Sequence, residues 1–332
     1  MATSARRKIM FAHKFSMLIV SVVLLLLTSC GGSGGGGSTV APPPPLPPPP
    51  SAAALPITAA NAQDITVTVL EAITSTVQVI DIVDVIGLPP IAASGPGFAK
   101  TAVSDIFTEL LACDTGDATA TWNDADNNLE ISTGDTFDVV FAMCFFADTD
   151  TTLDGAISLT NMNVEGDPFN QIAPWHLAMT FGFDNLSGTD SAGTAILDGD
   201  LDLDMSSDDN VVINLSVATT SLTAQQSGVN ETLTDYVLNQ TLDLNALTQV
   251  ISANGILTSS LLEGSVTFET LEDFWVIGDD NPSTGQLLIH DDSSSVLVTV
   301  VDNLRVLLEI DFERDGTIDQ TIEVTWADLD IG

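Results

Sequence analysis

The side chains of this 332-residue sequence best suited to chemistry are carboxylates. The stretch "DFERDGTID" places oxygen donors at Asp311, Glu313, Asp315 and Asp319, with Gly316 at the sharp bend. Calcium takes about six to eight oxygens around a tight loop, and this order of acids and glycine follows the first part of an EF-hand loop. The closing position of that frame is Ile322, and Glu323 comes one residue late, so no bidentate ligand is in register. The preferred reading is a hairpin whose Asp-Gly turn lies among solvated acids. Ca2+ is the cofactor that the competing reading would require.

Asp198, Asp200, Asp202 and Asp204 alternate with apolar Leu197, Leu201, Leu203 and Met205, which puts four carboxylates on one strand face. At about 7 Å apart along a strand, neighbours cannot share one small ion without another strand, so a solvated acidic face is expected. Asp124, Asp126, Asn127, Asn128 and Glu130 also offer oxygens, but without a loop glycine they read as a turn. Catalytic signals are sparse. Past the first 29 residues the histidines are His176 and His290, and neither a G-x-S-x-G elbow nor an H-E-x-x-H helix is present. Both histidines are expected as ordinary strand residues. Trp122, Trp175, Trp275 and Trp326 are expected in the core or on strand faces, and no enzyme is indicated.

These residues fall mostly in segments of period two: 136–146, 155–164, 175–183, 195–205, 211–222, 236–245, 264–271, 285–290, 295–302, 304–311 and 317–326. Turn signals separate them at Asp154-Gly155, Ser187-Gly188, Asn254-Gly255, Asn281-Pro282 and Asp315-Gly316. Consecutive strands with short connections predict a mainly β fold over 113–332, an antiparallel meander sheet or half-open barrel. Before it, 56–112 reads as a helical segment. Ile65, Val69, Ile73, Val77, Ile80 and Val83 keep helical spacing over 58–86, with Thr58 or Asn61 as cap, although the stretch is heavy in strand-favouring Val, Ile and Thr. A second short helix is expected over 100–111.

Residues 1–29 hold Arg6, Arg7, Lys8 and Lys14 without an acid, followed by the apolar run from Met17 to Leu27. That is the order of a secretory signal, and the run is well short of the ~20 residues a spanning helix needs. The sequence Leu27, Thr28, Ser29, Cys30 resembles the lipobox of bacterial lipoproteins. By that resemblance Cys30 is lipidated, the signal is cut before it, and Gly31 in place of Asp directs the protein to the outer membrane. Two or more acyl chains hold a protein stably, so the expected partner is a membrane, reached through a lipid anchor. Residues 30–55 then form a tether. Gly31 to Ser38 is a flexible coil, and Pro42 to Pro50 is a stiff spacer of roughly 28 Å.

The net charge is −39 over the whole chain. Past residue 29, Lys100, Arg305 and Arg314 stand against 46 acids, a field that repels nucleic acid and resembles the surfaces of proteins from salty surroundings. With Cys30 lipidated, Cys113 and Cys144 remain, and in an exported chain they are expected to form a disulfide contributing about 3–4 kcal/mol.

The phrases "LDGAISL", "LDGDLDL" and "LEGSVTF", starting at Leu153, Leu197 and Leu262, read as a repeated hairpin opening. Together with "STGDTFDVVFAMC" and the closing "LRVLLEIDFERDGTIDQTIEVTW", they give a chain that loosely resembles uncharacterised acidic lipoproteins of marine-type bacteria. That resemblance implies structural motifs and no known activity. The expected role is a structural or binding module at the cell envelope, on the periplasmic or surface face. The alternative is a periplasmic carrier that holds an apolar ligand or lipoprotein in a half-open sheet.

Overall fold

The computed structural model describes residues 54–77 and 113–329, apart from 129–130, 148, 170–171, 192, 227 and 279. Helix α1 (Ala62–Val77) precedes β1 (Thr115–Asn123), β2 (Thr136–Phe146), β3 (Thr151–Asp167), β4 (Ile172–Asp190), β5 (Gly193–Ser207), β6 (Val212–Gln226) and β7 (Val229–Asp243). Then follow β8 (Thr248–Ser259), β9 (Gly264–Ile277), β10 (Thr284–His290), β11 (Ser295–Asp302), β12 (Arg305–Asp311), β13 (Gln320–Thr325) and a terminal turn of helix, α2 (Trp326–Leu329). All thirteen strands form one sheet in chain order, each antiparallel to the next, and the sheet is not closed. The predicted mainly β meander is therefore observed. The expected helix over 100–111, and residues 78–86 of the first, lie outside the described residues.

Period-two patterning is what buries one face. Leu177, Met179 and Phe181 of β4, Leu201, Leu203 and Met205 of β5, and Val306, Leu308 and Ile310 of β12 are buried, and they join one core cluster with α1. The helix packs against β7 and β8 on one side and β12 and α2 on the other. In a flat sheet β8 and β12 would lie about 19 Å apart, so the sheet curls round the helix. Ile57 N–H donates to Ser294 Oγ at 2.6 Å, and Ala54 bridges to Ser265, pinning the chain ahead of α1 to the ends of β9 and β11.

Helix α1 tolerates its β-branched residues because the sheet buries Ile65, Val69, Leu70 and Ile73. Thr66, Thr68 and Thr74 donate their hydroxyls to the carbonyls of Ala62, Asp64 and Leu70, so none of these three hydroxyls is stranded. Tertiary burial decides against local propensity here.

Three expected turns are not turns. Asp154-Gly155, Ser187-Gly188 and Asn254-Gly255 lie inside β3, β4 and β8. The first belongs to a bulge device that occurs twice. Met143 on β2 (φ 51°) and Asn185 on β4 (φ 46°) sit at register breaks. Their N–H groups donate to Asp154 Oδ1 at 3.0 Å and Asp198 Oδ1 at 3.1 Å on the following strand. The glycine after each acid, Gly155 (φ 104°) or Gly199 (φ 128°), makes room for the backbone of the next strand, since a Cβ there would collide with the carbonyl of Asn185 or Ser221. The phrase Leu-acid-Gly thus encodes a bulge clamp in two of its three copies, and only Leu262-Glu263-Gly264 opens a strand, β9.

Strands β1 to β3 carry a thinner core. Phe141, Cys144, Phe146 and Leu153 cluster with Leu186, and Phe137 with Met162. Trp122 stacks on Phe137 with ring centroids 5.8 Å apart. Cys113 and Cys144 form the expected disulfide, tying the chain two residues ahead of β1 to β2.

Candidate functional site

The "DFERDGTID" loop joins β12 to β13, and its carboxylates serve the backbone. Asp311 Oδ1 accepts from the N–H of Glu313 and Asp315 at 3.2 Å, and Oδ2 accepts from Gly316 at 2.8 Å. Asp315 Oδ1 accepts from Thr317 N–H, and Asp319 Oδ2 from Phe312 N–H, both at 2.8 Å. Burial opposes ionisation of Asp311, but the N–H donors of Gly316, Asp315, Glu313 and Arg314 outweigh it and hold the carboxyl below its ordinary value. Asp311, Glu313, Asp315 and Asp319 do not gather three oxygens within 4.8 Å of one another. Arg314 Nη1 donates to the Asp291 carbonyl at 2.8 Å, binding this loop to the β10–β11 turn.

Among the described residues, the carboxylates that do converge are Asp124, Asp126 and Asp135, whose ligand oxygens lie within 4.8 Å of one another. They sit in the β1–β2 connection. Asp135 is fully buried; its Oδ1 accepts from Ala125 N–H and its Oδ2 from Ser132 N–H, each at 2.9 Å. Asn128 N–H donates to Asp124 and Asp126 at 3.2 Å. Sequence reasoning stopped at Glu130 for want of a glycine. The missed signal was spacing, because Asp124, Asp126, Asn128 and Asp135 stand at the first, third, fifth and twelfth places of a calcium-loop frame. If either acidic loop holds a cation, this one has the donor set for it.

The four acids of β5 are less idle than a solvated face implies. Asp198 serves the bulge already described. Thr220 Oγ1 donates to Asp200 at 3.3 Å and Thr180 Oγ1 to Asp202 at 2.5 Å, while His176 Nε2 lies 3.1 Å from Asp204. Each carboxylate thus bonds across to β4 or β6. His290 Nδ1 lies 3.3 Å from the Asp291 carbonyl. Asp291 orders the β10–β11 turn by accepting from the N–H of Ser293 at 2.8 Å and Ser294 at 2.6 Å. Burial raises its carboxyl and the serine donors more than offset that, leaving it below the ordinary value.

Glu231 of β7 shares the core face with Leu233 and opposes Ser259 of β8, whose hydroxyl donates to Oε1 at 3.1 Å. Desolvation raises its carboxyl above the ordinary glutamate value despite that bond. Among the described residues, these contacts assemble no catalytic constellation. In comparison with known proteins, no family model, no curated protein and no solved structure matches the chain.

Proposed function

We propose that the chain is a lipoprotein anchored to the outer membrane through Cys30, whose β domain acts as a structural or binding module at the cell envelope. The observation that carries the choice of module over carrier is the packing of α1. Ile65, Val69, Leu70 and Ile73 occupy the apolar face that a carrier keeps open for its ligand. The lipobox-like Leu27 to Cys30 and the Gly, Ser and Pro tether support the anchor, and the Cys113–Cys144 disulfide supports export, because such bonds persist in oxidising compartments. Membrane fractionation of Cys30→Ala tests the anchor. The variant is expected in the soluble fraction, and undiminished membrane retention overturns the reading.

A further inference from the structure

Leu247, Trp275, Ile277 and Leu304 are each between 44% and 66% exposed, and all lie at or near one end of the sheet. Thr248 pairs with Ile277 and Val250 with Trp275, which sets Trp275 and Ile277 two apart on one face of β9. Gly278 N–H donates to the Leu247 carbonyl at 2.7 Å, closing the β7–β8 turn against the end of β9. Asn281 Nδ2 donates to the Asn303 carbonyl at 3.2 Å and draws the β11–β12 turn, with Leu304, alongside. Leu271 is exposed too, but in the middle of β9, where the register with β10 breaks. Isolated exposed apolar residues are ordinary, but a group centred on a half-exposed tryptophan has the composition of an interaction surface.

Charge decides what fits it. Glu272, Asp273 and Asp280 are exposed beside these residues, and the neighbouring Arg305 is engaged by Asp302 at 2.7 Å and Glu323 at 3.2 Å. A second copy would press acid against acid, and anionic lipid meets the same repulsion. The complement is a polypeptide with lysine or arginine flanking apolar side chains. The patch lies at the far end of β9 from Ser265, where the chain arrives at Ala54, so it points away from the proposed tether.

We infer that this acid-rimmed apolar end docks a basic, apolar-anchored segment of a partner protein. The inference deepens the reading of the domain as a binding module and rests on it.

The test uses the chain from residue 30 onward carrying Cys30→Ala, in detergent-free buffer. The probe is a labelled amphipathic leucine–lysine peptide, with all-lysine and leucine–glutamate peptides as controls. The leucine–lysine peptide is expected to bind about tenfold or more tighter than either control. It should protect 244–248 and 271–278 from hydrogen exchange, and Leu247→Ser with Trp275→Ser should weaken it about tenfold at an unchanged Tm. Equal binding by all-lysine, protection elsewhere, no binding, or an unaffected double variant each overturns the inference. Self-association lost in the double variant would assign the patch to a second copy, and variant-sensitive binding to neutral phosphatidylcholine vesicles would assign it to lipid. Either result overturns it too. No membrane anchoring enters the assay, so its failure leaves the fractionation result standing.

Discussion

The body of the sheet, β4 to β13 with α1, and its margin, β1 to β3, solve the same problem with different means. In the body, alternating apolar residues from ten strands merge with a helix into one buried cluster. At the margin the core shrinks to two small groups, and a disulfide joins carboxylate-to-backbone bonds at Asp154 and Asp135 of the kind that Asp198 and Asp311 make in the body. Where little apolar area can be buried, a covalent bond and carboxylate-to-backbone bonds set the local geometry.

The largest expected effect is in the body. Leu238→Ala, at a fully buried position on β7, should destabilise the domain by about 3 kcal/mol in denaturant unfolding. Replacing Cys113 and Cys144 by serine removes about 3 kcal/mol on the loop-entropy estimate, but its effect should be local. Hydrogen exchange should accelerate in β1 and β2 while β7 to β12 stay protected. Equal loss of protection throughout would erase the distinction between the regions. Gly199→Ala forces a side chain onto a left-handed backbone and into the Ser221 carbonyl, with an expected loss of about 2 kcal/mol. Asp198→Ala leaves the Asn185 N–H unpaired and should lose about 1 kcal/mol.

Acid–base behaviour divides the carboxylates of the body itself. Glu231 has a raised carboxyl in the body, so the folded state holds its proton longer than the unfolded chain. Stability is therefore lost as pH rises from the ordinary glutamate range through the folded value. Asp291 and Asp311 are held low, so their contribution is complete above the ordinary aspartate range and is lost as pH falls through the folded values. Glu231→Gln should flatten the rising-pH side of the stability curve and leave the acid side unchanged. Superimposable curves would refute this account. The smallest effect concerns calcium. Melting in CaCl2 against NaCl of matched ionic strength should show an increment that Asp126→Ala removes and Asp315→Ala leaves intact, because among the described residues only the β1–β2 loop gathers three carboxylates. An increment equal to the sodium control makes both loops solvated turns.

Much of the meander was legible because hydrophobic alternation is a direct imprint of a one-sided sheet. The segments 136–146 and 295–302 coincide with β2 and β11. Strand β1, "TGDATATWN", escaped because an edge strand with every residue exposed or half-buried has no apolar face to show. Strand β8 escaped because Asn254-Gly255 has the chemistry of a turn. Bulges and turns both need positive φ or close backbone approach, so one dipeptide serves either, and the pairing partner decides. Of the two acidic loops, the one the sequence made prominent is not the one whose carboxylates converge. Asp315-Gly316 supplied the familiar signature, whereas the frame from Asp124 to Asp135 has Leu129 in the place of the glycine and so did not stand out.

The position of α1 sets an order on maturation. Hairpins of the meander assemble from neighbours in the chain, yet the helix precedes every strand and rests on β7, β8 and β12. The bond from Ile57 to Ser294 spans 237 residues. An apolar helix that emerges first must therefore wait, unsheltered, until nearly the whole chain has followed it. Its burial draws on strands far along the chain, and a chain truncated before β12 would keep only the β7 and β8 part of its seat.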